Sequence, residues 1–288
     1  MKRFVILIYS ITSILSLRAQ SPIESGFAPV NGIKLFYQIY GKGKPLVLIP
    51  GGGSTIETSF GRVIPMLALH HKVIAIELQA HGRTNDRDRE LSFVQDADDV
   101  VGLLNYLKID KADFFGFSNG ATTTLQIAIR HPKVVNKIVL GSPLSKRNGV
   151  PIQFWDFMKQ AKLANMPQEL KDAYIKVAAD SIGLQKMHDR DVKRMLDFKD
   201  IPDEEMKSIT APALVIVGDK DVITIEHALE MHRLLPGSAL AVIPGVHGEY
   251  IEEVTTLKFN SHQADFVIPM IVNFLNKPLG TSNDILEN

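Results

Sequence analysis

The sequence predicts an α/β protein: a mostly parallel central sheet opened by an antiparallel hairpin, helices on both faces, and a helical cap inserted after the sixth strand. Three observations carry that prediction. From Pro45 to Leu140, short apolar runs alternate with stretches of helical spacing, the pattern of parallel strands joined by right-handed crossovers. Between residues 145 and 209 the alternation gives way to amphipathic helical sequence, and afterwards it resumes. Within the first block, Gly116-Phe117-Ser118-Asn119-Gly120 separates an apolar run from a helix-like stretch.

The elements follow in order. Gly26 to Val30 and Ile33 to Tyr40 are β-rich runs around Asn31-Gly32, a pair that supplies the positive φ values of a two-residue hairpin turn. Pro45 to Ile49 is wholly apolar, as expected of a strand covered on both faces, and ends in Pro50-Gly51-Gly52-Gly53. A helix is expected over Ile56 to Leu69 and a buried strand over Lys72 to Leu78, leading into the loop Gln79 to Asp86. Ser92 and Gln95 form a capping box before Phe93, Ala97, Val100, Leu104 and Leu107, which recur at helical spacing. After the serine-bearing turn come a helix from Ala121 to Arg130, stopped by His131-Pro132, and a strand from Val135 to Leu140.

The cap, residues 145–209, carries Phe154, Trp155, Phe157, Met158, Tyr174, Ile175, Met187, Met195 and Phe198. The sheet resumes with the strand Ala213 to Val217, a helix from Ile225 to Leu235, the strand Ala239 to Ile243 and a last helix from about Asp265 to Leu275. The core is thus expected over 21–144 and 210–280, with a polar, frayed tail over 281–288.

Composition bounds the function. Of 288 residues, 45% are hydrophobic and 22% charged, a globular balance with length enough for a large core. A formal net charge of zero supplies no basic field for phosphate backbones, so nucleic acid is not an expected partner. With no cysteine, disulfides, thiolate zinc sites and a cysteine nucleophile are excluded. Lys2 and Arg3 precede the apolar run Phe4 to Leu17, and small Ala19 follows at a cleavage position. This pattern predicts a signal peptide over 1–20 and export to the periplasm or medium. No membrane span is expected after its removal, because the run is shorter than the roughly 20 residues that cross a bilayer.

The Gly-x-Ser-x-Gly turn is a nucleophile elbow: the chain reverses so sharply at Ser118 that residues two positions either side must be glycine. The turn lifts the hydroxyl above the sheet and aims the Asn119 N–H, at a helix N-terminus, where an oxyanion would form. A serine hydroxyl needs a base, and the base an orienting acid. Two later strands run into candidates, Gly218-Asp219-Lys220-Asp221 and Pro244-Gly245-Val246-His247-Gly248. Both loops lie at the same carboxyl edge of the sheet as Ser118, where sites in open α/β sheets form.

The order serine, acid, histidine, the Gly-rich loop after the third strand and Gln79-Ala80-His81-Gly82-Arg83-Thr84 after the fourth resemble the α/β-hydrolase superfamily over nearly all of the chain beyond the signal segment. In that family the acid follows its strand as G-x-x-D, which the resemblance carries onto Gly218 and Asp221, with Asp219 as the alternative. It likewise places the second oxyanion donor at Gly52, paired with Asn119. The family commonly has histidine where this chain has Pro50, which leaves Gly51 or Gly53 open as donor. His81 falls where the family has a loop-structuring residue.

No cofactor or metal is expected. His70-His71 and His188-Asp189-Arg190-Asp191 lack metal-ligand spacing and read as solvated surface, and Gly41-Lys42-Gly43 leads into a strand, unlike a dinucleotide fingerprint. The resemblance implies a serine hydrolase of a small or medium-sized carboxylic ester or lactone, acting through an acyl-enzyme. C–C bond hydrolases, cofactor-free perhydrolases and non-turnover small-molecule receptors in the superfamily carry the same triad and stay open as alternatives.

Overall fold

The computed structural model describes residues 21–178 and 180–278; the expected signal segment (1–20) and tail (281–288) lie outside them. β1 (Glu24–Val30) and β2 (Ile33–Tyr40) form the opening hairpin. Asn31 and Gly32 take φ values of 46° and 88°, the left-handed pair of a type I′ turn, whose twist matches that of the strands it joins. β3 (Pro45–Ile49) leads into two short helices, α1 (Ile56–Phe60) and α2 (Ile64–Leu67). One helix was expected here. The break falls at residues 61–63 because Pro65 has no amide to bond back one turn. β4 (Lys72–Ile76) ends before the expected Leu78, where the chain turns into a loop closed by His81 N–H donating to Leu78 O at 3.0 Å.

α3 (Phe93–Tyr106) starts at Ser92, whose hydroxyl accepts from the Gln95 amide at 3.1 Å, satisfying one of the donors that a helix start leaves unpaired. β5 (Ala112–Phe117), α4 (Asn119–Arg130) and β6 (Val135–Gly141) follow. Among the described residues, four α-helices then intervene, α5 (Ile152–Lys159), α6 (Gln168–Ala178), α7 (Ser181–Leu196) and α8 (Asp203–Lys207), before β7 (Ala213–Gly218), α9 (Ile225–Leu234), β8 (Ala239–Ile243) and α10 (Ala264–Asn276).

The eight strands among the described residues form one sheet in the order β1-β2-β4-β3-β5-β6-β7-β8. Its β1/β2 and β2/β4 pairings are antiparallel and the rest parallel. Alternate side chains leave a strand on opposite faces, and the core divides accordingly. Val47, Ile49, Ile138, Leu140, Val215 and Val217 join the cluster under α3, α4 and α9. Their neighbours Leu46, Leu48, Val139, Leu214 and Ile216 join the one under α1, α2 and α10. A sheet covered on both faces explains the unbroken apolar runs of β3 and β7 and the apolar second half of β6 from Ile138. Among the described residues no helix is long and apolar enough to cross a membrane.

Candidate active site

The carboxyl ends of β3, β5, β6, β7 and β8 converge on one rim because their strands are parallel neighbours. At the end of β5 the backbone of Ser118 takes φ 54° and ψ −120°, a region that costs a non-glycine residue on the order of 1–3 kcal/mol and persists only where the surroundings enforce it. The enforcement is visible. A Cβ on Gly116 would lie 2.1 Å from Gly120 O, and one on Gly120 would lie 2.0 Å from Ile49 O, so the turn closes only with glycine at both positions. Ser118 N–H donates to Gly141 O at 2.8 Å, tying the elbow to β6.

His247, on the loop after β8, donates Nδ1–H to Asp221 Oδ1 at 2.7 Å. The Asp221 side chain is fully buried and held from several sides: its carboxylate accepts from Ser142 Oγ at 2.5 Å, Ile223 N–H at 3.0 Å and Gly218 N–H at 3.4 Å. Tyr250 is hydrogen-bonded to Ser142 Oγ at 2.7 Å. Asp219 is occupied elsewhere, accepting from Gly245 N–H at 2.6 Å and bracing the histidine loop. Neither Ser142 nor Tyr250 was singled out from the sequence; the clue to Ser142 was its place just beyond β6, at the same rim.

Burial alone would push the Asp221 carboxyl up, but the His247 charge and the hydrogen bonds from His247 and Ser142 outweigh it and hold it below the usual range. Burial likewise lowers the proton affinity of His247, and the Asp221 carboxylate, with help from Glu253, reverses this and leaves it raised. The Ser118 hydroxyl makes no hydrogen bond to the protein among the described residues. It shares a cavity with His247, whose ring packs 4.9 Å from that of Phe117. Links of the serine–histidine kind commonly tighten only when substrate is bound.

The three loop glycines differ in what their amides do. Gly51 N–H donates to Ser59 Oγ at 3.3 Å and Gly53 N–H to Asp191 Oδ2 at 2.6 Å. Gly52 N–H is unengaged among the described residues, as is that of Asn119, which opens α4 and has no intrahelical acceptor. Any side chain at position 52 would strike its neighbours, since a Cβ there would stand 2.4 Å from Asn119 Nδ2 and 3.1 Å from Asp191 Oδ2.

Ser118, His247, Gly52 and Asn119 all line a cavity of about 430 Å³. Its far walls are apolar: Leu144 and Val150 from the core side, Phe154, Phe157, Met158 and Met187 from the helices between β6 and β7. Trp155, grouped with them by sequence, is instead buried beneath, with its indole N–H on Arg147 O at 2.9 Å and the Arg147 guanidinium over its ring.

Two expectations of solvated histidines are corrected. His71 is fully buried, and burial lowers its proton affinity. In the 188–191 segment, Asp189 is exposed, but His188 is buried and Asp191 turns inward, so that both line the cavity. The reason is the pitch of α7, which brings residues three and four apart onto one face. Asp191 Oδ2 lies 2.9 Å from His81 Nε2, and Oδ1 is bonded to Arg194. No group of three or more acidic or histidine side chains is arranged to hold a metal among the described residues.

Comparison with known proteins agrees with this architecture. Residues 44–197 match the family model described as alpha/beta hydrolase fold. The chain is similar to the human serine hydrolase BPHL, with 28% identity over 264 residues, 85% of this chain and 87% of that protein. It is also similar to the 2-hydroxy-6-oxo-6-(2'-aminophenyl)hexa-2,4-dienoic acid hydrolase of Metapseudomonas resinovorans, 27% identical across 87% of this chain and 96% of that one. A solved N-acyl homoserine lactone degrading enzyme superposes with a TM-score of 0.64 at 25% identity, over 83% of this chain and 99% of the other. The matched span runs from β3 through the elbow into α7, more than half of the chain, and the protein is therefore a hydrolase belonging to the alpha/beta hydrolase fold family.

Proposed function

We propose that the protein is a serine hydrolase cleaving small or medium-sized carboxylic esters or lactones. The observation that carries the reading is the conjunction in one cavity of Ser118 on a strained elbow, His247 oriented by buried Asp221, and two unengaged amides at Asn119 and Gly52. His247 Nε2 takes the Ser118 proton as the hydroxyl attacks the carbonyl carbon, and the Asn119 and Gly52 amides receive the oxyanion. Collapse expels the alcohol, protonated by His247, and leaves an acyl-serine. Water, deprotonated by the same imidazole, releases the acid. Asp221 keeps Nδ1 protonated so that Nε2 is the basic nitrogen.

The apolar far wall and the cavity size favour an uncharged, hydrophobic acyl or alcohol group. The likeness to a dienoic acid hydrolase supports C–C bond cleavage as the second reading, with the same residues. Purified protein lacking residues 1–20 is to be assayed on p-nitrophenyl esters, lactones and vinylogous diketones, with fluorophosphonate labelling of Ser118. Turnover of esters or lactones above the diketone rate supports the proposal. Labelling without turnover of any substrate points to a receptor, and absence of labelling removes the serine mechanism.

Export is proposed on the N-terminal pattern alone. Protein isolated from its native host should begin near residue 20 or 21, and an intact Met1 would refute this.

A further inference from the structure

The Gly-rich loop is a turn over Gly51 to Ser54, closed by Ser54 N–H donating to Gly51 O at 3.4 Å. Gly53 has φ +67° while Gly52 is not in the left-handed region, the pattern of a type II turn. The central peptide of such a turn, between Gly52 and Gly53, is flanked by two residues without Cβ atoms. Little steric resistance therefore opposes its rotation towards the type I orientation, which would turn the Gly52 carbonyl and the Gly53 N–H to the opposite side of the loop.

Two contacts oppose it. Asp191 Oδ2, delivered by α7, accepts the Gly53 N–H at 2.6 Å, and His81 Nε2 lies 3.1 Å from the same nitrogen; the Met166 methyl lies 2.9 Å from where a Gly53 Cβ would stand. Asp191 is itself clamped. Arg194, one turn along α7, binds its other oxygen and reaches Asp96 of α3 at 2.7 Å, with its guanidinium 4.8 Å from the Phe93 ring centroid. On the other side is His81, whose Nδ1 lies 2.9 Å from Gln79 O and whose Nε2 lies 2.9 Å from Asp191 Oδ2. The Gly53 N–H also points at Nε2, at 3.1 Å, so amide, imidazole and carboxylate meet at one point. Burial opposes the protonated ring, but the Asp191 carboxylate outweighs it and leaves the His81 proton affinity raised. The side chains of His81, Arg194 and Asp96 are each no more than 2% exposed.

We propose that Asp191 is a positioning residue that couples the docking of α7 to the geometry of the oxyanion loop, fixing the Gly52–Gly53 peptide and so anchoring the loop that carries the Gly52 N–H. It touches no reacting atom; it acts through Gly53. The proposal rests on the hydrolase reading above for its catalytic consequence but not for its structural one. A docked cap forms the cavity and sets the loop through the same carboxylate, so loss of docking degrades substrate binding and oxyanion stabilisation together, whereas loss of the carboxylate alone degrades only the latter.

The test pairs kinetics with site-resolved amide exchange on Asp191→Ala and the near-isosteric Asp191→Asn, both lacking residues 1–20. In Asp191→Ala, kcat should fall about 100-fold with KM within about threefold of wild type, the size expected for misplacing one oxyanion donor. The Gly53 amide should exchange about tenfold faster or more while amides of β5 and β6 are unchanged. Asp191→Asn, which keeps one acceptor for Gly53, should retain more of kcat than Asp191→Ala. Should Asp191→Ala fail to fold, the Asn variant carries the same readouts. Wild-type kcat and an equally protected Gly53 amide in the variants would overturn the proposal while leaving the hydrolase reading intact. A wild-type protein inert to every ester, with Gly53 released by the substitution, would overturn that reading and leave the latch standing. Parallel changes in KM and in exchange throughout α7, without a kcat effect, would assign Asp191 a purely structural role.

Discussion

Two carboxylate–histidine pairs flank the same cavity, and they are built oppositely. In Asp221–His247 the acid is fully buried and the imidazole is 31% exposed; in His81–Asp191 the imidazole is 2% exposed and the acid 13%. The first pair binds the ring through Nδ1 and leaves Nε2 without a hydrogen bond among the described residues, with the residue lining the cavity. The second engages both nitrogens, Nδ1 at a carbonyl and Nε2 at the carboxylate and the Gly53 amide. Proton transfer needs a nitrogen free to change its state, so the first pair is equipped for acid–base work and the second for holding structure. The same two residue types at nearly the same separation thus do different things, and the unbound nitrogen decides which.

The largest expected effects test the open pair. Ser118→Ala and His247→Ala should each lower kcat by about 10⁴-fold or more with the thermal transition preserved; turnover persisting in purified Ser118→Ala would remove the mechanism. Asp221→Asn should cost about 10⁴-fold through the wrong tautomer, while Asp219→Asn, which only loosens a brace on Gly245, should stay within about tenfold of wild type. A reversed ranking transfers the acid to Asp219. Gly52→Ala should cost about 100-fold in kcat, since the new methyl must displace Asn119 or Asp191 at the oxyanion donors.

Titration separates the pairs further. His247 must be neutral to act as base, and Asp221 raises its proton affinity against the opposing effect of burial. The acid limb of kcat/KM should therefore have its midpoint above the ordinary imidazole value of about 6.5, and Asp221→Asn should move it down. A profile flat between pH 6 and 8, with chemistry limiting, would count against His247.

The smallest effect concerns stability. Burial lowers the His81 proton affinity, but Asp191, by charge and hydrogen bond, leaves it raised overall. Its stabilisation is therefore complete below the unfolded value near 6.5 and is lost as pH rises through the folded value. His71 and His227, lowered by burial, act in the opposite sense. The His81 part is accordingly read as a difference: wild type should lose its thermal advantage over His81→Gln as pH increases from 6 to 9. An advantage that grows with pH would show that His81 is held neutral.

Much of this was legible from local chemistry. Glycines at 116 and 120 announce an elbow because no side chain can occupy either position, and Asn31-Gly32 announces a hairpin because both residues must reach positive φ. The apolar runs of β3 and β7 reveal strands covered on both faces. Ser142 and Tyr250 escaped notice because a lone serine after a strand and a lone tyrosine in a loop carry no pattern. Asp191 was misread for a different reason. In a run of His188-Asp189-Arg190-Asp191, helical pitch spreads neighbours around the helix, about 100° apart, and composition cannot say which face meets the core.

The chain by itself determined where strands and helices alternate, where the serine turn lies and which loops bear an acid and a histidine, because these depend on residues within a few positions of one another. Folding alone decided that Asp221 and not Asp219 reaches His247, that Gly52 is the loop glycine with an unengaged amide, and that Asp191 grips Gly53. Those outcomes join residues up to 138 positions apart, and a hydrogen bond at that separation is set by how whole elements pack, which no local pattern encodes.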